Sequence, residues 1–289
     1  MQRIEEYKID TEFGRIAVKE RRGGSIPILL LHGSGFSKEV FGAQFGDPAL
    51  SGFRLIAIDL PGHGQSDDPV DAATTYTIRG LASVVASTIE ELGISGCIVA
   101  GWSLGGHVAI ELLGAHCQIA GIATFGTPPL PHGALGMVRG FHFSLDMLLA
   151  SKAHLSYLEA RKFERLSLGW QSDGRFVETI LRTDERLRPA IARDMFSGKG
   201  CDQLRTVQSS PVPVCLIQGD HDPLVRTGYV CTLRGPSIHE GGCHVIENAG
   251  HAPFMEQPEA FDALLARFAH EAATGTAPVA ETPRLRKTG

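Results

Sequence analysis

The chain has 289 residues, 43% of them apolar and 20% charged, with a formal net charge of −5. That length can bury a sizeable core, and an acidic balance with no Lys/Arg block ahead of the C-terminal tail excludes a nucleic-acid-binding field. No apolar run reaches the roughly 18 residues of a membrane span, and residues 1–7 lack an apolar leader core, so a cytoplasmic protein without a membrane partner is expected.

Short alternating stretches at Glu5–Asp10 and Arg15–Glu20, around Glu12-Phe13-Gly14, predict an antiparallel hairpin at a sheet edge. Ile26–Leu31 reads as a buried strand entering His32-Gly33-Ser34-Gly35-Phe36, and a helical connection follows through Val40, Phe41, Phe45 and Leu50. Arg54–Leu60 is the next strand and ends in a turn-rich loop, Asp59-Leu60-Pro61-Gly62-His63-Gly64-Gln65-Ser66. Helical spacing runs from Tyr76 to Leu92 and stops at Gly93. Beyond it, strand Cys97–Trp102, a helix through Val108 and Leu112, and strand Ile119–Phe125 keep the alternation going. Strand and helix in alternation predict an α/β fold with a mostly parallel sheet of eight strands, flanked by helices.

After Gly126-Thr127-Pro128-Pro129 the pattern changes. Helix-like segments at Leu145–Ala150, His154–Leu168, Arg175–Arg182 and Arg188–Phe196 predict a helical lid insertion over residues 130–205. Residues 1–129 and 206–273 then make the core, with strands at Val212–Gln218 and Gly242–Ile246 and a helix at Pro258–Ala272. Residues 274–289 read as a disordered tail. The six cysteines (Cys97, Cys117, Cys201, Cys215, Cys231, Cys243) show no C-x-x-C spacing, which predicts a reducing compartment and no metal site, and Cys97, Cys215 and Cys243 lie in apolar runs as small hydrophobes.

The chemistry concentrates at Gly101-Trp102-Ser103-Leu104-Gly105, a G-x-S-x-G between a β-branched strand and a helix. A serine at such a turn is strained and exposed at the strand end, and the glycines let strand and helix approach. A serine hydroxyl needs a base, and the base needs an orienting acid. His251 in Asn248-Ala249-Gly250-His251-Ala252-Pro253-Phe254 follows the last strand and is the candidate base. Gly219-Asp220-His221-Asp222-Pro223 follows the preceding strand; Asp222 is the preferred acid and Asp220 a turn-capping side chain, while the loop after Phe125 offers only Thr127. Oxyanion donors are expected at the N–H of Leu104 and in the backbone around Ser34, where Gly33 permits close approach. Phe36 and Trp102 are candidate pocket walls; His32, Asp59 and His63 read as braces of their loops.

HGSG, DLPGHGQS, GWSLGG, GDHD and NAGHAPF occur in the order and spacing of the α/β-hydrolase fold, which the chain resembles from about residue 10 to 272. More narrowly it is similar to metal-independent N-acylhomoserine lactonases of the AidH type, in RLIAIDLPGHGQSDD, GWSLGGHVAIE, GTPP and the run from ENAGHAPF to FDALLARF. That resemblance implies a Ser103, His251, Asp222 triad, no cofactor, no metal, and a small ester or lactone as substrate. Asp222 stands where that type has a glutamate, and Ser34 where it has an asparagine. Phe163 and Tyr157 both answer to its lactone-contacting lid tyrosine. The H-x-H-x-D-H cluster of zinc lactonases is absent, and Ser103 excludes haloalkane dehalogenases, which need a carboxylate nucleophile. Alternatives are a general small-ester carboxylesterase, a carbon–carbon bond hydrolase (where Phe36 replaces the usual proline after HGSG), a perhydrolase or, further off, a non-catalytic receptor. Monomer and dimer both stay open.

Overall fold

The computed structural model describes residues 3–114 and 118–276, so Cys117 and residues 277–289 of the expected tail lie outside the described residues. Eight strands form one sheet: β1 (Ile4–Thr11), β2 (Gly14–Arg21), β3 (Pro27–Leu31), β4 (Arg54–Ile58), β5 (Cys97–Trp102), β6 (Ile119–Phe125), β7 (Val214–Gly219) and β8 (Ile238–Ile246). Their order is β1-β2-β4-β3-β5-β6-β7-β8. The β1–β2 hairpin is antiparallel and so is β2 against β4; every other pairing is parallel.

Side chains alternate across a strand, and here both faces are covered. Ile28, Leu30, Ile98, Ala100 and Trp102 enter one core, while Leu29, Leu31, Cys97 and Val99 enter the other. The longer helices are α1 (Ile78–Glu91), α2 (Leu104–Leu112), α3 (Ala134–Gly140), α4 (Tyr157–Leu168), α5 (Val177–Arg182), α6 (Leu187–Ser197), α7 (Gln203–Gln208) and α8 (Pro258–Thr274). α1 begins at Ile78, two residues later than its periodicity predicts, because Thr77 Oγ1 accepts the N–H of Gly80 at 2.8 Å and caps it. α4 begins at Tyr157 behind a capping box in which Ser156 and Glu159 satisfy each other's backbone N–H groups.

Between β6 and β7 the described residues form helices and a single isolated bridge, Phe141 to Val225. α7 runs across the expected boundary at residues 205 and 206. The helical segment grips the DLPGHGQS loop: Arg182 donates to Gly62 O at 2.9 Å and Ser66 O at 2.8 Å, and Tyr76 Oη donates to Asp184 at 2.7 Å. β8 is longer than predicted, for reasons that bear on its chemistry below. None of Cys201, Cys215, Cys231 and Cys243 is in a disulfide. Among the described residues, no helix is long and apolar enough to cross a membrane.

Candidate active site

Ser103 sits between β5 and α2 with φ 52° and ψ −113°, a backbone that a residue with a side chain adopts only where its surroundings force it. The forcing comes from close approach. A Cβ on Gly101 would strike Gly105 O, one on Gly105 would strike Leu31 O, and one on Gly106 would strike Thr127 Oγ1. The turn is then stitched from both sides. Ser103 N donates to Phe125 O at 2.9 Å, and Thr127 Oγ1 lies 3.0 Å from Ser103 O as a donor.

His251 and Asp222 meet as the sequence predicts. His251 Nδ1 lies 2.9 Å from Asp222 Oδ2, with the two side chains 3% and 0% exposed. Asp222 Oδ1 accepts the N–H groups of Leu224 at 2.8 Å and Val225 at 2.9 Å, which fixes the carboxylate in its loop. With Nδ1–H donated to Asp222, Nε2 is the acceptor nitrogen of the ring. Asp220 plays a different part. It accepts Ala249 N at 3.0 Å and faces His221, bracing one loop against the other.

Three features hold the His251 loop that the sequence did not reveal. Trp102 Nε1 donates to His251 O at 2.8 Å, so the residue preceding the serine fastens the backbone of the histidine. Gly126 has φ 56°, and a Cβ there would lie 2.6 Å from His251 O. Gly250 N donates to Glu256 Oε1 at 2.9 Å, and burial raises that carboxyl above its ordinary pKa. The GTPP motif carried a signal for Gly126, but not for its partner.

The loop after β3 is braced by His32, whose Nδ1 donates to Gly33 O at 2.8 Å while Nε2 accepts Leu60 N at 2.9 Å. Burial lowers the pKa of this ring, keeping it neutral and both bonds intact. Asp59 is a brace as well, accepting Lys38 N at 2.7 Å, Gln65 N at 2.8 Å and Lys38 Nζ at 3.1 Å. His63 Nδ1 bonds Pro61 O at 3.1 Å within its own loop. Gly33 packs on the indole, where a Cβ would sit 2.9 Å from Trp102 Cε3. Leu104 opens α2, and the first amides of a helix have no carbonyl of that helix to donate to.

Gly33, Ser34, Phe36, Trp102, Ser103, Leu104 and His251 line one cavity of about 230 Å³, which Phe163 and other apolar side chains of the helical segment close. Phe36 stands 4.9 Å from the Trp102 ring and 6.1 Å from the Phe163 ring, centroid to centroid. Tyr157 does not join this wall. It is 57% exposed at the first position of α4, whereas Phe163 is 5% exposed, on the face that also buries Ala160, Glu164 and Ser167. His107, unnoticed in the sequence, also lines the cavity. It lies one helical turn past Ser103 and shares a 2.8 Å hydrogen bond with Gln203 Oε1, and burial pulls its pKa down to about 4. It is neutral near pH 7.

The family model described as "Alpha/beta hydrolase family" matches residues 28–264, from β3 into α8. The chain belongs to the alpha/beta hydrolase family. This alpha/beta hydrolase is similar to the N-acyl homoserine lactonase AidH in complex with N-hexanoyl homoserine, at 35% identity and TM-score 0.90, covering 93% of this chain and 98% of that one. An AidH complex with N-hexanoyl homoserine lactone gives 34% identity and TM-score 0.90 over 94% and 99% of the two chains. A pimeloyl-[acyl-carrier protein] methyl ester esterase of Yersinia enterocolitica is 28% identical over 87% of this chain and 96% of its own.

Proposed function

We propose that this carboxylic ester hydrolase opens N-acylhomoserine lactones, with Ser103 as nucleophile, His251 as base and Asp222 as the acid that orients it. The supporting observation is the likeness to AidH, which covers 93% of the chain and so takes in most of residues 130–205, the segment that closes the cavity. Those residues act as the lid in this reading, and residues 1–129 and 206–273 as the catalytic core.

His251 Nε2 removes the Ser103 proton as Oγ bonds to the lactone carbonyl carbon. The negative charge on the carbonyl oxygen is met by the N–H of Leu104 and the backbone at Ser34. Collapse of this intermediate breaks the ring C–O bond, and the tethered alkoxide takes the proton from His251. Water, deprotonated by His251, then releases acylhomoserine and restores Ser103. The apolar wall formed by Phe36, Trp102 and Phe163 receives the acyl chain.

A linear-ester preference is the second reading, favoured by the likeness to the Yersinia methyl ester esterase and by Tyr157 lying outside the cavity. Mass-spectrometric product analysis separates the two, with acylhomoserine lactones of several chain lengths and simple aryl esters as substrates. The expected result is ring-opened acylhomoserine, made at kcat/KM above about 10⁴ M⁻¹s⁻¹ by the chain and not by Ser103→Ala. Ester cleavage with untouched lactones would overturn the lactone reading and leave the triad standing.

A further inference from the structure

The end of the β7–β8 pair away from Asp222 holds a second group of chemically active side chains. Cys215 is the second residue of β7, His239 the second of β8, and His244 lies farther along β8. Residues five apart on a regular strand face opposite sides. Here Val214 pairs with Ile238 while Leu216 pairs with Cys243, so β8 advances farther than β7 and bulges between. Glu240 at φ 52° and Gly241 at φ 74° make the bulge, which returns His244 to the side of His239.

One ligand atom each from Cys215, His239 and His244 lies within 4.8 Å of the others. His239 Nδ1 and His244 Nε2 are 3.0 Å apart. The outward nitrogens each face a carboxylate: His239 Nε2 is 2.8 Å from Glu271 Oε2 on α8, and His244 Nδ1 is 3.7 Å from Glu240 Oε2. Metal-binding histidines are oriented in this way, by a carboxylate on the far nitrogen. Phe268 walls the group, with its ring centroid 5.2 Å from that of His239. His244 gives it an opening to solvent, its side chain 17% exposed while Cys215 is fully buried.

We propose that Cys215, His239 and His244 bind a divalent transition-metal ion of the zinc type, fastening the edge strand β8 to β7 and α8. One thiolate and two imidazoles suit zinc, with a water through the His244 opening as fourth ligand. Zn–N bonds of about 2.0–2.1 Å at a tetrahedral angle put two ring nitrogens about 3.3 Å apart, a few tenths of an ångström beyond their present separation. On binding, the Cys215 S–H bond breaks and its proton leaves to solvent as the sulfur–metal bond forms. The His244 proton moves to Nδ1, facing Glu240, so both rings stay neutral and one proton is released per ion. The site is structural. β7 carries Cys215 at its start and leads to Asp222 only beyond Gly219, a separation of roughly 13 Å along the strand. No linear motif marks it, since its residues come from two strands and a bulge.

The test uses the full chain without a polyhistidine tag, stripped by a chelator and titrated with Co²⁺ and then Zn²⁺. One equivalent of Co²⁺ is expected to give tetrahedral ligand-field absorption with a thiolate-to-cobalt charge-transfer band, displaced by Zn²⁺. The charge-transfer band is lost in Cys215→Ala, and His244→Gln, at a half-buried position that tolerates the change, weakens binding tenfold or more. Zn²⁺ at a hundredfold excess over Kd raises Tm by about 5 °C, with ester hydrolysis unchanged. No saturable binding, no thiolate band, or the same binding in His244→Gln as in the parent chain would overturn the proposal and leave a hydrogen-bonded core cluster.

Discussion

The two ends of the β7–β8 pair carry the same unit with different surroundings. At the carboxyl ends of the strands His251 bonds Asp222 at 2.9 Å; at the amino ends His239 bonds Glu271 at 2.8 Å. Beyond the second ring nitrogen they diverge. His251 looks into a cavity of about 230 Å³ that also holds Ser103 and Leu104, whereas His239 faces another imidazole and a buried thiol. A carboxylate fixes the orientation of an imidazole but not its chemistry, and what meets the other nitrogen decides that. An apolar cavity beside a hydroxyl admits a carbonyl compound. Converging lone pairs admit an ion.

The sharpest way to break the contrast is to remove the hydroxyl. Ser103→Ala is expected to lower kcat by roughly 10⁴-fold or more, read with an aryl ester, and turnover near that of the parent chain would remove Ser103 from its role. Next comes the carboxylate. Asp222→Asn keeps the shape but invites the wrong tautomer, and a loss of about 10³–10⁴-fold is expected, against less than tenfold for Asp220→Asn. The reverse order would move the acid to Asp220. Gly126→Ala pushes a methyl group against His251 O and should cost on the order of 10²-fold in kcat, with KM nearly unchanged. A rise in KM alone would make Gly126 part of the binding wall instead.

The smallest effect concerns a carboxyl with no imidazole. Asp262, on α8, is buried and accepts Gln44 Nε2 at 3.0 Å through Oδ1, while no described residue hydrogen-bonds Oδ2. Burial, with nearby Asp47 in support, raises its pKa from 3.8 to about 7. Below the lower value, folded and unfolded chains both carry the proton; between the two values only the folded chain does. Stability therefore falls as pH rises through that window, and the loss is complete above the folded value. Asp262→Asn cannot ionise and keeps an acceptor for Gln44. Its Tm should exceed that of the parent chain by a few degrees near pH 8 and match it near pH 4, and equal differences at both pH values would contradict the assignment.

What could be read from the sequence follows from how local each constraint is. Ser103, Asp222 and His251 each sit in a turn just past a strand, and the glycines and prolines of that turn are neighbours in the chain. The strands were likewise legible, the first two from alternation and the central ones from runs of apolar residues, with β8 only in part. The sequence did not disclose contacts whose partners are far apart, such as the indole N–H of Trp102 on His251 O or the close approach of the His251 backbone to Gly126. Tyr157 and Phe163 could not be told apart because burial at a helix end depends on what packs there and not on the periodicity of the helix. The last strand was expected only over Gly242–Ile246, yet β8 starts at Ile238 and passes through the bulge at Glu240 and Gly241, and so the side shared by His239 and His244 was invisible.

Trp102 has one more consequence. Its backbone precedes Ser103 and its side chain holds the loop of His251, so the two residues are tied through a single neighbour. The clamp consists of Trp102, Gly126 and the loop from Gly250 to Glu256, none of it drawn from residues 130–205. Exchanging those helices for others, by drift or by grafting, would therefore leave this clamp standing and act first at the Phe141–Val225 bridge, beside the amides that hold Asp222. The loop of His251 and the loop of Asp222 are thus separately exposed to change in such a chain.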